Sequence, residues 1–267
     1  MNDKDKEFIK KLYLNGLTSK EIYEKYYIDK IGCQEVIERV VRKFGIARKG
    51  GYKNEFNHDY FENIDSEIKA YFLGFILMDG NVHECKNKNC SKIIQINLSL
   101  KDKYILETFK KEIECDNKIS EYNKGKRHEC RFGVYSNKMA NDLSKYGVVP
   151  NKSLILEKLP LIDNKFIPDL IRGIFDANGS VYIRNNKYKK LMITFYSTHK
   201  MLESIMNKLI ESINIDIHKI TDQKKTNVSL FSLSKKEDII NFYRYIYYKK
   251  DIIYLKRKKD KFDEYLK

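Results

Sequence analysis

No stretch of the 267-residue sequence is apolar for long enough to cross a bilayer. The longest apolar run, Ala70 to Met78, falls far short of the about 20 residues that a membrane helix needs. The opening MNDKDKEF carries acids and no apolar core, which excludes a secretory signal in that stretch. An intracellular, cytoplasmic protein with no membrane partner is expected. CxxC pairs are also missing. The five cysteines are spread through the chain, and an odd count of this kind argues for reduced thiols. One local repeat stands out among them, because His83-Glu84-Cys85 recurs as His128-Glu129-Cys130. In strands each His and Cys would share a face. Neighbouring strands would then permit a zinc site completed by Cys90 or Cys115, against the simpler reading of buried or edge thiols.

Acidic charge is in short supply: 37 Asp and Glu face 52 Lys and Arg, a net charge of +15. Such an excess sets up a positive field that attracts polyanions, nucleic acid above all. Codon bias in an AT-rich genome produces the same enrichment in Lys, Asn, Ile and Tyr, so charge alone does not decide between the two. Apolar residues at 42%, with 20 Tyr and 14 Phe, supply a real core and exclude a disordered basic tail.

Residues 1–50 read as a three-helix unit. Phe8, Ile9, Leu12 and Tyr13 recur at helical spacing over Lys4 to Leu14, closed by Asn15-Gly16. Thr18-Ser19 with Glu21 resembles a capping box ahead of a second helix. A third helix spans Cys33 to Phe44, with Val36, Ile37, Val40 and Val41 inward and Arg39, Arg42 and Lys43 among its other positions. A short helix, a turn and a polar-faced helix resemble a helix-turn-helix. The alternative is a small bundle for protein contacts. Ala47 to Gly51 reads as a flexible basic linker.

From about residue 60 the chain repeats itself. FLGFILMDG (Phe72 to Gly80) returns as IRGIFDANG (Ile171 to Gly179), with Gly74 and Gly173, Asp79 and Asn178, and Gly80 and Gly179 at one constant offset. Each copy is followed by two β-rich runs, a helix, two more β-rich runs and a closing helix. The expected fold is therefore α+β, with two pseudo-symmetric αββαββα units at 60–160 and 161–267. Helix starts are expected at Asp65-Ser66 and near Pro168-Asp169. Both duplicated helices are apolar nearly all round, so both must be buried on more than one face. A mid-helix glycine costs about 1 kcal/mol relative to Ala, which makes sense if Gly74 and Gly173 let the two helices touch. Gly80 and Gly179 suit a left-handed residue that ends a helix.

Asp79 sits where the helix macrodipole disfavours a negative charge, so it needs a compensating cation. Two such ends side by side would form an oxygen-ligand site suited to Mg²⁺. The plainer reading, that Asp-Gly and Asn-Gly are common capping turns, suits one copy better than two in register.

These segments resemble the paired motifs of the LAGLIDADG homing endonucleases, and the repeat resembles that family's single-chain form. The resemblance implies a monomer whose motif helices pack at the centre and whose two sheets form a saddle over double-stranded DNA. It also implies that the residue before each final glycine, here Asp79 and Asn178, binds catalytic Mg²⁺ or Mn²⁺. Asn178 departs from the family pattern: an amide oxygen can ligate a metal but brings no charge and takes no proton. Asp176 would not replace it, since two residues along a helix is about 200° of rotation. Slow or strand-biased cleavage follows, with the alternative of a non-cleaving DNA- or RNA-binding protein such as a transcription regulator or an intron maturase acting on intron RNA. The family's lysine near the end of each unit matches Lys152 and Lys258, with Lys256 or Arg257 as alternatives to the second. DNA contacts are expected from Lys86, Lys88, Lys92, Gln95 and Asn97 in one half and from Arg184, Asn185, Lys187, Lys189 and Lys190 in the other. The third N-terminal helix adds Arg39, Arg42 and Lys43.

Overall fold

The computed structural model describes residues 2–15, 17, 19–46, 56–83, 91–184, 190–223 and 228–267, with Leu154 described by its backbone alone. The chain divides into two compact units, Met1–Lys53 and Asn54–Lys267.

The N-terminal unit contains helix α1 (Asp3–Leu14), helix α2 (Ser19–Ile22, continuing as a π-helical turn over Tyr23–Tyr27) and helix α3 (Gln34–Lys43). Asn2 caps α1 in a capping box with Asp5, each side chain accepting from the other's backbone N–H. The capping box expected at Thr18 involves a residue outside those described. Ile9, Tyr13, Ile22, Tyr27, Ile37, Val40 and Val41 form the core, while Val36 is only half-buried. On α3, Arg39, Arg42 and Lys43 are exposed, and Arg42 is paired with Glu38 at 3.2 Å.

In the second unit, helix α4 (Glu67–Asp79) begins at Ser66, whose hydroxyl accepts from the N–H of Lys69. It is followed by strands β1 (Gly80–His83) and β2 (Ile93–Ser99), helix α5 (Lys103–Glu112), strands β3 (Ser120–Lys124) and β4 (Arg127–Tyr135), and helix α6 (Asn137–Lys145). The second repeat runs α7 (Ile167–Asn178), β5 (Ser180–Arg184), β6 (Lys190–Ser197), α8 (His199–Ile213), β7 (Thr221–Asp222), β8 (Ser229–Leu233) and α9 (Lys236–Ile246), and adds α10 (Lys256–Leu266). Both sheets are antiparallel with equivalent strand orders, β1-β2-β4-β3 and β5-β6-β8-β7. The central strands alternate, apart from buried Thr194 on β6. Ile94, Ile96, Leu98, Cys130, Phe132 and Val134 face the helices of the first repeat, and Leu191, Ile193, Phe195, Phe231 and Leu233 do so in the second.

Two local features complete the repeats. Strand β4 starts as early as Arg127, because Gly125, at φ +61°, makes a tight hairpin that carries the ladder to the Lys124–Arg127 pair. The lysine-rich segment after α9 is a helix, anchored by buried Phe262.

Helices α4 and α7 pack along each other through their central glycines. A Cβ on Gly74 would lie 2.2 Å from the carbonyl oxygen of Leu170, and one on Gly173 would lie 2.0 Å from that of Tyr71. Each backbone thus occupies the space that a side chain on the other would need. Gly80 and Gly179 are glycines for a different reason from the one expected. Neither is left-handed: both are extended, at φ −73° and −81°. A Cβ at Gly80 would meet Ile76 at 2.6 Å, and one at Gly179 would meet the Phe175 ring at 2.3 Å. The chain turns from helix to strand so closely that only hydrogen fits.

The zinc arrangement does not form from the two histidines. His83 pairs with Ile93, which pairs with Tyr135, whereas His128 lies at the opposite end of β4 beside Asn123. That separates them by roughly 20 Å along the strands. Cys130 and Cys115 are buried free thiols, Cys85 and Cys90 lie outside the described residues, and among those described no group of three ligands could hold a metal.

Gly74→Ala should therefore destabilise the chain by about 3 kcal/mol, the upper end for overpacking, whereas Gly32→Ala, which meets nothing within 4 Å, should be close to neutral. Urea denaturation of both variants checks this. Equal stabilities would mean that the two helices do not depend on their glycine contact.

Candidate functional site

The glycine contact brings the C-terminal ends of α4 and α7 to one place, and with them Asp79 and Asn178. Both side chains are exposed. A helix end leaves carbonyl oxygens without partners and a partial negative charge. Here each end receives a buried lysine. Lys152 Nζ donates to the Gly80 carbonyl. Lys258 Nζ donates to the carbonyls of Phe175 at 2.6 Å, Asp176 at 2.8 Å and Gly179 at 2.5 Å. The two lysines are only 5% and 3% exposed, and burial brings each down to about 8, against the pull of Asp79 on Lys152 and of Asp176 on Lys258. Of the three basic candidates in α10, Lys258 is thus the one at the site. Lys256 lies over the Tyr104 ring, and Arg257 pairs with Asp102 at 2.9 Å.

The two motif residues differ in what they hold. Asn178 Nδ2 donates to the Tyr196 carbonyl on β6 at 2.9 Å, which leaves its amide oxygen as the remaining acceptor. Asp79 makes no side-chain hydrogen bond or ion pair among the described residues. The protein mass behind Asp79 pushes its carboxyl above the usual range, while Lys152 and then Lys258 pull it back. Asp176 points elsewhere. It is fully buried, and its Oδ2 accepts from Tyr71 Oη at 3.1 Å and from the Leu255 N–H at 2.8 Å. Its Oδ1 is buried without a partner. Burial raises its pKa, opposed first by Lys258.

Asp79 opens into a cleft of about 780 Å³ that also takes in Asn97, Ser99, Asp102, Arg127, Glu129 and Arg257. This links the helix ends to the open face of the first sheet. On that face Gln95 and Asn97 stand as expected for DNA contacts, half-buried on β2. Arg184 and Lys190 are exposed and paired at the end of the second sheet. Lys92 lies just before β2 instead of on it, its backbone N–H bonded to Asn137. Lys86, Lys88, Asn185, Lys187 and Lys189 lie outside the described residues. The register adds residues that composition did not reveal: Asn81, Tyr122, Glu129 and Arg131 share the open face. Arg131 Nε donates to Asn97 Oδ1 at 2.9 Å and stacks over Tyr122. The alternation of apolar Cys130, Phe132 and Val134 along β4 was the signal that could have found Glu129 and Arg131.

Residues 166–247 match the family model described as a LAGLIDADG-like domain. The chain carries that domain and has the LAGLIDADG fold. Among solved structures, the homing endonuclease I-WcaI bound to its DNA recognition sequence is 18% identical, over 76% of this chain and 90% of that one, with a TM-score of 0.53. I-GzeII in complex with its DNA target is 19% identical over 74% and 88%, with a TM-score of 0.50. Mesophilic variants of I-DmoI are 18% identical over 73% and 96%, with a TM-score of 0.50. At these identities the likeness is one of fold. A comparison with curated proteins gives no match. The repeats opened by α4 and α7 are two pseudo-symmetric units in one chain. No helix among the described residues is long and apolar enough to cross a membrane.

Lysine burial carries a pH signature. The unfolded chain keeps Lys152 protonated up to its ordinary value near 10.5, but the folded chain releases that proton from about 8. Between these values the unfolded state binds more protons, so this group makes stability rise with pH, by about 1 kcal/mol per pH unit at most. Urea titrations from pH 8 to 10 should show wild type gaining on Lys152→Met. Parallel curves would mean that the ammonium is not desolvated.

Proposed function

We propose that the chain is a divalent-metal-dependent DNA endonuclease whose two half-sites are unequal. The observation that carries this reading is the pairing of Asp79 and Asn178 at adjoining helix ends, each beside a buried lysine, on a LAGLIDADG scaffold. The donor set fits a hard cation: an unpaired carboxylate in an open cleft and an amide oxygen suit Mg²⁺ or Mn²⁺, which bind few protein oxygens and keep waters. Asp79 and the Asn178 oxygen would hold it. The chemistry such an ion supplies is charge neutralisation at a scissile phosphate.

The chain's own residues set the rest. Lys152 and Lys258 are too buried to touch a phosphate directly, so they act through their field, holding Asp79 ionised and favouring negative charge gathering nearby. Gln95, Asn97 and Arg131 present amide and guanidinium groups of the kind that read base edges in a major groove. Arg184 and Lys190 supply phosphate contacts. The exposed Arg39, Arg42 and Lys43 on α3 fit a helix-turn-helix contact with DNA, made by the N-terminal unit as an accessory. The expected partner is double-stranded DNA, bound by a monomer.

Because Asn178 brings no charge, one strand should be cut faster than the other. The test is a cleavage assay with Mg²⁺ or Mn²⁺ on end-labelled duplexes that include the sequence flanking the gene's insertion site. Nicks should precede double-strand cuts, Asp79→Asn should lower the rate by about 100-fold or more, and Asn178→Asp should bring the two strands closer together. Tight, specific binding with no cut under either metal would replace this reading with a non-cleaving DNA- or RNA-binding protein.

A further inference from the structure

Strand alternation exposes one face of each sheet, and the two faces differ in chemistry. On the first, Asn81 lies beside Gln95 and Asn97 beside Arg131. Gln95 Nε2 and Arg131 Nε both donate to Asn97 Oδ1, at 3.1 and 2.9 Å, and Glu129 shares the face two residues before Arg131. Apart from Ile93 and Tyr135, paired at its end, it is a face of hydrogen-bonding groups. On the second sheet the equivalent face carries Tyr182 beside Met192 and Tyr196 beside Leu230, with Val228 next along. Tyr182 is 43% exposed and Val228 38%. Among the described residues of β5 to β8, charge on that face is confined to Arg184 and Lys190 at its outer end. Its hydroxyls are largely taken up internally: Thr194 pairs with Ser232 at 2.8 Å and Ser180 with Tyr196 at 3.4 Å.

We propose that the two sheets read DNA differently, the first by hydrogen bonds to base edges and the second by apolar contact with thymine methyl groups. This rests on the endonuclease reading above. The major groove offers only one apolar feature, the C5 methyl of thymine, and apolar side chains are what recognise it. A sheet face of tyrosine, methionine, leucine and valine gains by covering such methyls and has few free polar groups with which to read anything else. The basic pair at its edge is placed to hold the phosphates of the same groove. The half of the target under the second sheet is therefore rich in thymine methyls, and the half under the first is specified by the amide and guanidinium pattern.

The experiment uses the full chain in EDTA, so that binding is read without cleavage. Preferred duplexes are selected from a randomised pool, and thymine is then replaced by uracil, which lacks the methyl, in one half at a time. Uracil in one half should weaken binding by about tenfold, the scale of a few lost apolar contacts, and in the other half by less than about twofold. A Tyr182→Ser, Met192→Ser variant should lose that uracil sensitivity, whereas Arg131→Ala should keep it and lose discrimination in the opposite half. Equal uracil sensitivity in both halves, or none in either, overturns the inference while leaving specific DNA binding intact. A pool that yields no preferred duplex fails the endonuclease reading and the inference with it. Self-association that the double variant abolishes would assign this face to protein instead, and would also overturn the inference.

Discussion

The reciprocal contact of Gly74 and Gly173 is the constraint on which the rest of the second unit depends. Two apolar helices can bury most of their surface against each other only if their backbones approach closely, and here each carbonyl ridge fills the gap left by the other's missing side chain. Everything from Ala70 to Leu77 is buried as a result. The contact fixes more than packing. It sets the two helices side by side with the same polarity relative to their sheets, so their C-terminal ends arrive together, followed at once by β1 and β5. The tight exits at Gly80 and Gly179 continue the same economy of space.

Two helix ends brought together bring their negative poles together as well. In this chain each pole is met by a lysine from the end of its own repeat, drawn into the protein deeply enough to fall to about 8. Lys258 satisfies three carbonyls at once, which explains why a cation is held where water is scarce. The same two charges make a carboxylate at Asp79 tolerable in a position that the dipole and the protein mass behind it both disfavour. Structure and candidate chemistry thus use the same groups: a cation that caps a helix also shapes the field in the cleft.

Much of this was legible in the sequence. The constant offset of the glycines marked the repeat, and the all-round apolar character of the two segments marked a buried helix pair, because periodicity and burial are directly encoded in residue type. Lys152 was readable only through the family resemblance, and so was Lys258. Its helix was hidden because the buried position at 258 is itself a lysine, so Leu255, Lys258 and Phe262 do not read as an apolar stripe. Asn81 and Tyr122 were hidden for a different reason. Which face a strand residue takes depends on register, and register is set by partners distant in sequence. The turn glycines were recognised as necessary, but the reason was steric exclusion by Ile76 and Phe175, which only the packing reveals.

Asn178 contributes to the fold itself, since its amide nitrogen ties the end of α7 to Tyr196 on β6, a donation that an ionised carboxylate could not make. Asp79 has no such bond: the protein mass behind it works against its charge, and the fields of Lys152 and Lys258 offset that only in part. The second repeat also carries attachments peculiar to it. Asp176 holds the Leu255 backbone, Tyr104 bonds the Tyr254 carbonyl and the Lys256 N–H, and Arg257 reaches Asp102 in the first repeat. These hold α10, and with it Lys258, independently of what occupies position 178. A residue that stabilises its own turn in one repeat, opposite one that is merely tolerated in the other, is the arrangement expected if Asp79 is kept for what it binds and Asn178 for what it supports.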